Sequence, residues 1–251
     1  MSRRTPFRSA DIGYFPFDSC LTEVHNSAMT AIVTSLTPDG FMIGADGRRS
    51  DAATDTLETD NARKIFFFES ERIHLAYAWT GTTQASRANG ALLYDVVAAS
   101  KKILPASAIL SGGNFSSFIA NFCQSLKNYV PVQIAGMPKE ELARVILVGY
   151  FWDQPFIAKV ELAYRQDIFT PRDTCHIPAQ AYKGVFSGSE RIYQKYRDAQ
   201  LSCDQEAADF VQKYIQECVD SSESDCMGIG GHIHIAQVKP DGTRWLIPPK
   251  I

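Results

Sequence analysis

The order of strand and helix patterns along the chain is the sequence feature that most limits its fold. Runs rich in β-branched and aromatic residues, which are typical of strands, come in three groups. Two segments with apolar residues at helical intervals separate each group from the next. The strand patterns cover 30–36, 41–45, 64–68, 73–79, 144–150, 155–162, 181–188, 232–238 and 243–247, and the helical patterns cover 82–103, 114–129, 189–199 and 203–219.

This grouping predicts stacked layers, because the strict alternation of strand and helix that builds a doubly wound parallel sheet is absent. The sequence T-P-D-G at 37–40 suits a tight turn between the first two strands, which predicts a hairpin. We therefore expect an α+β fold in which helices flank two antiparallel sheets, as a four-layer αββα sandwich.

Composition limits the domain organisation and the classes of partner. With 251 residues and 45% hydrophobic content, the chain can bury a substantial core. We expect one domain over 29–251, preceded by an extension or propeptide over 1–28 that mixes aromatics, serines and charges without periodicity. The net charge of -3 argues against nucleic acid or an anionic membrane surface as a partner.

The sequence also predicts the compartment and the absence of a metal. No stretch approaches the roughly 20 apolar residues that span a bilayer, and no secretory signal pattern is present, so we expect a cytoplasmic protein. The six cysteines include no C-x-x-C pair, which argues for reduced thiols and against a zinc or dithiol motif. His232 and His234 could share one face of a strand, but without a suitably spaced carboxylate or cysteine we expect no metal and no cofactor.

A more specific signal lies at the start of the core. The run M-T-A-I-V-T-S-L-T-P-D-G-F-M-I-G-A-D-G-R-R-S begins at Met29, and D-N-A-R-K-I follows at 60–65. Together they resemble the opening of proteasome β-type subunits, especially the bacterial peptidase subunit that works with a hexameric ATPase unfoldase, in the N-terminal nucleophile hydrolase superfamily. The resemblance places Thr30 in the position of the nucleophile, Asp46 at the end of the second strand and Lys64 on the next strand, after a somewhat longer loop.

This resemblance implies a threonine-type peptidase. In a free N-terminal threonine the hydroxyl attacks a carbonyl and the α-amine accepts its proton, so one residue supplies nucleophile and base. The Lys64 ammonium would keep the amine neutral and favour a deprotonated hydroxyl, and Asp46 would hold the lysine. We expect Lys64→Ala to lose hydrolysis and, as for a surface lysine, to cost less than about 0.5 kcal/mol of stability.

Three further segments resemble the family's active-site supports. W-T-G-T-T (79–83) resembles the small-residue turn that donates a backbone N–H to the oxyanion, so Thr80 or Gly81 would supply that donor. V-F-S-G-S-E (185–190) resembles the strand end in which a serine, here Ser187, hydrogen-bonds the threonine's amine.

The third segment, D-C-M-G-I-G-G-H-I-H-I (225–235), departs from the family pattern. The family has an Asp and then a Ser before the paired glycines, which are Gly230 and Gly231 here. Asp225 is displaced by one residue from the column of the Asp, Cys226 occupies that column, and Ile229 stands in the position of the serine. These departures are the strongest sequence argument for a weakened or silent enzyme.

Three hypotheses follow for the function. The first is a proteasome-like peptidase that forms homo-oligomeric rings, takes peptide or protein substrates and works with a possible ATPase unfoldase. The second is a small-molecule amidase of the same fold, and the third is a catalytically silent assembly subunit. The residue before Thr30 is Met29, where self-cleaving relatives generally present Gly, so translation from Met29 followed by methionine removal would also expose Thr30.

Overall fold

The computed structural model describes residues 30–50, 56–86, 90–130, 141–165, 168–173, 186–196, 199 and 201–250. The expected extension over 1–28, Met29 and the first five residues of the strand expected over 181–188 lie outside the described residues. The strands are β1 (Ile32–Thr37), β2 (Gly40–Ala45), β3 (Arg49–Ser50), β4 (Leu57–Thr59), β5 (Ile65–Ser70), β6 (Ile73–Gly81), β7 (Gln84–Ser86), β8 (Leu92–Asp95), β9 (Glu141–Phe151), β10 (Gln154–Arg165), β11 (Ile168–Asp173), β12 (Phe186–Ser187), β13 (His234–Lys239) and β14 (Gly242–Ile247). The helices are α1 (Val96–Leu110), α2 (Phe115–Tyr129), α3 (Glu190–Tyr196) and α4 (Asp204–Asp220), and a short 3-10 helix spans Ser224–Cys226.

Two five-stranded sheets dominate the described part of the chain. The first has the order β12-β1-β2-β13-β14, the second has the order β11-β10-β9-β6-β5, and all of these pairings are antiparallel. Two small two-stranded sheets, β3-β4 and β7-β8, accompany them. The predicted α+β class with antiparallel sheets is confirmed.

Three apolar clusters hold these elements together. The first joins the inward faces of the two sheets, with Phe41 and Ile43 of β2 among Ile146 and Val148 of β9. The second packs α1 and α2 against the second sheet, and the third packs α3 and α4 against the first sheet. The four-layer order expected for these elements stays a prediction.

The β1–β2 hairpin brings two distant candidate residues to one end of the first sheet. Its register runs from Thr37 opposite Gly40 to Ile32 opposite Ala45, so the predicted T-P-D-G turn closes the hairpin. The ladder continues past the strands, because the Asp46 amide donates to the Ala31 carbonyl at 3.1 Å. The residue before Ala31 and the residue after Ala45 therefore lie side by side.

The helix expected over 82–103 is wrong in its first half. Residues 84–86 and 92–95 pair as β7 and β8, and the helix begins only at Val96, after Asp95 caps it by accepting from the Ala98 amide at 2.8 Å. Gly90 has a positive φ of 78°, a conformation that interrupts a right-handed helix. The apolar spacing was read as helical because alternating and helical patterns are hard to separate over so few residues.

The other long helices match the sequence prediction closely. The helix expected over 114–129 forms as α2, whose N-terminus is capped by Asn114 through a hydrogen bond from the Ser117 amide at 2.9 Å. The helix expected over 203–219 forms as α4. In the described part of the chain, none of the helices has both the length and the apolar character needed to cross a membrane.

Candidate active site

Thr30, Asp46 and Lys64 meet at one end of the two large sheets. The Lys64 ammonium donates to the Thr30 hydroxyl oxygen at 3.0 Å and lies 3.0 Å from the Asp46 carboxylate. Thr30 precedes β1, Asp46 follows β2 and Lys64 precedes β5. Residues separated by up to 34 positions in the sequence thus form one contiguous chain of polar contacts.

Backbone amides hold the Asp46 carboxylate in place. Its Oδ1 accepts from the Ala31 amide at 3.0 Å, and its Oδ2 accepts from the amides of Gly230 at 3.1 Å and Arg48 at 3.2 Å. The side chain is fully buried, and the ammonium of Lys64 supplies its charged partner. Because both oxygens are occupied, the carboxylate has a fixed orientation from which it positions Lys64.

Burial shifts the pKa of both members of this pair. Burial lowers the pKa of Lys64, and the negative charge of Asp46 opposes that shift. Burial raises the pKa of Asp46, while Lys64 and the backbone amides of Gly230 and Arg48 oppose it. Only 11% of the Lys64 side chain is exposed, so the expectation of a surface lysine is wrong. Its removal would leave a buried carboxylate without a cation.

His234 was considered from sequence as a possible metal ligand, but its contact in the structure is with Lys64. Its Nε2 accepts a hydrogen bond from the Lys64 backbone amide at 3.2 Å. Burial lowers its pKa to about 4, which keeps the ring neutral and able to accept. His232 instead lies 2.8 Å from the Pro248 carbonyl. Within the described residues, no group of three or more His, Cys, Asp or Glu side chains could hold a metal ion.

Thr80 and Gly81, the candidate oxyanion residues, lie at the end of β6 and line the same cavity as Thr30 and Lys64. Gly81 has a positive φ of 88°. A Cβ atom there would lie 2.7 Å from the Leu142 carbonyl oxygen and 2.8 Å from the Ala143 Cα, so the strand end has no room for a side chain. The local backbone therefore requires glycine at this position, in the segment that resembles the family's small-residue turn.

Ser187 and Asp225 are not linked to Thr30 by hydrogen bonds in the described part of the chain. Ser187 belongs to β12, which pairs beside β1 with Ser187 opposite Ile32, and its carbonyl accepts from the Tyr214 hydroxyl at 3.1 Å. Asp225 lies in the 3-10 helix next to Cys226. These two predicted site residues thus remain outside the contact chain that joins the other three.

The segment 225–235, which differs from the family pattern, has a structural role through Ile229 and Gly230. Ile229 is buried in the apolar cluster between the first sheet and α4. Gly230 donates its amide to Asp46 and accepts the amides of Gly47 at 3.1 Å and Arg48 at 2.7 Å on its carbonyl. The segment therefore supports Asp46 through its backbone, although the serine of the family pattern is missing.

A cavity of about 390 Å³ opens beside Thr30. Its wall combines apolar side chains with four basic residues. The lining includes Trp79, Phe66, Val97, Arg48, Arg49, Arg63, Lys64, Glu58 and Asp95. A short peptide or a small amide could place a carbonyl near the Thr30 hydroxyl from this side, and Lys64 would favour the charged form of that hydroxyl.

Comparisons with known proteins bear on the fold alone. No family model matches the chain, and no curated protein matches it. Among solved structures, that of an Anbu (Gly-1) mutant from Hyphomicrobium sp. strain MC1 is similar with a TM-score of 0.53 and 11% sequence identity, over 84% of this chain and 82% of that chain. The likeness supports a proteasome-like fold.

Proposed function

We propose that this chain is a threonine-type peptidase subunit with a proteasome-like fold, in which Thr30 is the nucleophile. One observation carries the proposal: the Lys64 ammonium lies 3.0 Å from both the Thr30 hydroxyl oxygen and a buried carboxylate of Asp46. Desolvating an ammonium is costly unless it is paired. A strand-end lysine with no role at this site would therefore be expected to stay in solvent rather than lie between these two groups.

The chemistry follows from these positions. The Thr30 hydroxyl attacks the carbonyl carbon of a peptide amide and passes its proton to the free α-amine of Thr30. The oxyanion of the tetrahedral intermediate receives a backbone N–H from Thr80 or Gly81. As the C–N bond breaks, the leaving amine takes this proton from the Thr30 α-ammonium, which leaves an ester at Thr30 and a neutral α-amine. Water then attacks the ester, with the α-amine as base, and releases the acid product.

We assign the whole of 29–251 to one domain with the layer order αββα. The apolar clusters on both faces of each sheet support this order, since one cluster lies between the sheets and the others lie beneath helices. In this proposal the active form begins at Thr30, without residues 1–28 and Met29, the subunits assemble into a ring in the cytoplasm, and an ATPase unfoldase delivers protein substrates.

The position of Ser187 and Asp225 favours a second candidate function, a silent assembly subunit. Neither side chain has a hydrogen bond to Thr30 among the described residues, and Ile229 cannot provide the hydroxyl that the family pattern has at that position. A site without these supports can keep its fold while the threonine loses activity. The two candidates differ in the reactivity of Thr30.

The test compares a protein encoded from Met1 with one encoded from Met29. Intact mass identifies which product begins at Thr30, and a peptide boronate or epoxyketone reports the reactive threonine. We expect labelling only where Thr30 carries a free amine, because a peptide-bonded nitrogen has lost its basic lone pair to resonance. Thr30→Ser should retain labelling and Thr30→Ala should abolish it.

The same experiment can reject the peptidase assignment. If the protein that begins at Thr30 is folded by circular dichroism, yet neither reacts with the electrophile nor cleaves any of a broad panel of amides, the silent subunit replaces it. Labelling of Thr30 together with cleavage of small amides but no peptides would instead favour the amidase.

A further inference from the structure

Four cationic residues line the cavity beside Thr30, and three of them already have a carboxylate partner. Arg48 pairs with Asp60 at 2.7 Å, Arg49 pairs with Glu58 at 2.5 Å, and Lys64 pairs with Asp46. These three positive charges are therefore largely neutralised within the protein. The fourth cation, Arg63, differs from them.

Arg63 is held in place by contacts that leave its charge uncompensated. Its Nε donates to the Ile65 carbonyl at 3.0 Å, and its guanidinium carbon lies 5.3 Å from the ring centre of Phe66 and 5.5 Å from that of Trp245. Within the described residues it makes no ion pair with a carboxylate. Aromatic faces orient a guanidinium without neutralising it, so the terminal N–H groups stay available to a ligand.

The remaining acidic residue of the cavity is already committed to another contact. Asp95 caps α1, and its carboxylate accepts from the Ala98 amide at 2.8 Å at the positive end of that helix. Asp95 reaches the cavity from the end of β8, whereas Arg63 precedes β5 beside Lys64. Among the four cations of the cavity wall, Arg63 is thus the one for which the described residues provide no carboxylate partner.

We propose that Arg63 is a specificity-determining residue that binds a carboxylate of the substrate, so that the site prefers peptides with an acidic side chain near the bond to be cleaved. This inference rests on the proposed function, because a preference for acidic peptides affects cleavage only if the substrate binds in the cavity beside Thr30. A planar guanidinium with free terminal N–H groups matches a carboxylate with two parallel hydrogen bonds.

The test is a binding measurement on the full chain carrying Thr30→Ala, which needs no catalysis. The probes are capped alanine pentapeptide amides with one glutamate at each position in turn, and a matched set with glutamine. We expect glutamate to bind roughly tenfold tighter than glutamine at one position, as for a charge-assisted hydrogen bond at a partly exposed site. Isothermal titration calorimetry at low salt measures the ratio, which should shrink at about 0.5 M salt.

Arg63→Gln should abolish the preference, and Arg63→Lys should keep part of it through charge alone. Arg72→Gln is the matched control, because Arg72 also lies over an aromatic ring, 4.5 Å from the Trp152 ring centre, but lies outside the cavity lining. This control should keep the full preference. Equal binding of both peptide sets, or a preference that Arg63→Gln leaves unchanged, would overturn the inference. A pentapeptide with a free C-terminus and no glutamate tests whether a terminal carboxylate is the ligand instead, and tighter binding of that peptide alone would overturn it too.

Failure of the proposed function gives a different result. If the protein with Thr30 in place binds the glutamate peptides through Arg63 but cleaves none of them, the acidic subsite stands and the peptidase assignment falls. If it cleaves glutamate and glutamine peptides with the same kcat/KM, the peptidase assignment stands and the role of Arg63 falls.

Discussion

At the scale of the residue, Lys64 and Asp46 form a buried ion pair on which the stability of both side chains depends. The Asp46 side chain is fully buried and the Lys64 side chain is 11% exposed, and among the described residues each is the oppositely charged side chain in contact with the other. A variant that removes one charge therefore has two effects: it changes the environment of Thr30 and it leaves a buried ion alone.

We predict that Lys64→Met abolishes hydrolysis and lowers the free energy of unfolding by about 3 kcal/mol, because it strands the Asp46 carboxylate. Asp46→Asn should also destabilise the protein. The double variant should be more stable than the sum of the two losses predicts, since neither buried charge remains. Urea unfolding of the four proteins measures this coupling, and strict additivity would show that the two groups are not an ion pair.

His234 gives the stability of the protein a defined dependence on pH. Its pKa is lowered from 6.5 to about 4 by burial, and the positive charges of Lys64 and Arg63 and the ring of His232 add to that shift. The unfolded chain therefore binds a proton at a higher pH than the folded chain does. The contribution of neutral His234 to the free energy of unfolding is fully present above pH 6.5 and is lost as the pH falls toward 4.

We predict a loss of up to about 3 kcal/mol in the free energy of unfolding from this residue between neutral pH and pH 4. His234→Gln, which keeps an acceptor for the Lys64 amide but cannot titrate, should show a shallower dependence. Denaturant titrations at several pH values between 7 and 4 supply the data, and identical slopes for wild type and His234→Gln would contradict the prediction.

The sequence identified the candidate residues whose type and order are unusual. It did not identify the residues whose role depends on contacts with segments that are distant in the chain. Thr30, Asp46 and Lys64 stand in a recognisable order, and the structure brings their side chains together. His234 was considered only as a possible metal ligand and then set aside, because nothing in the sequence shows that its ring meets the Lys64 backbone. Arg63 was not noticed, since its lack of a carboxylate partner is a property of the folded neighbourhood.

At the scale of the element, the predictions succeeded for the first hairpin and for the helices α2 and α4. Asn114 marks the start of α2, and the T-P-D-G turn sets the register of the first hairpin. The helix expected over 82–103 failed because β7 and β8 depend on pairing with each other. Such short strands have no stable pattern of their own, and the sequence cannot show that their partner is close.

The end of β6 provides a test of how tightly the cavity wall is built. Gly81 and Gly90 both have positive φ, 88° and 78°, but a Cβ at Gly81 would meet backbone atoms at 2.7 and 2.8 Å whereas one at Gly90 would meet nothing within 4 Å. Gly90→Ala should cost about 1 kcal/mol from the backbone conformation alone. Gly81→Ala should cost about 2 kcal/mol more through the clash and should reduce hydrolysis. Thermal unfolding compares the two, and equal losses would show that the strand end can relax.

At the scale of the whole molecule, the active-site contacts come from elements that are far apart in the chain. Asp46 follows a strand of the first sheet and Lys64 precedes a strand of the second, while Gly230 reaches Asp46 from the segment that leads into β13. The apolar cluster between the sheets therefore sets the distance between Thr30 and Lys64. Substitutions in that cluster can alter catalysis without touching the site, because close-packed cores transmit small displacements.

The last prediction concerns assembly. The final two residues of α1, Ile109 and Leu110, are 81% and 71% exposed, which is unusual for neighbouring large apolar side chains and is typical of a surface that meets another protein.

We predict that the protein self-associates at micromolar concentration through a contact that includes this helix end, and that Leu110→Glu weakens association by about tenfold because a charge would be buried there. Lys213→Gln on α4 makes the same change in net charge and should leave association unchanged. Multi-angle light scattering over a concentration series measures all three proteins, with urea unfolding as a check that Leu110→Glu stays folded. If the wild-type protein is monomeric at all concentrations, the ring is ruled out and the amidase remains as the hypothesis in which Thr30 is the nucleophile. If Leu110→Glu assembles as well as the wild type does, the contact lies elsewhere on the surface.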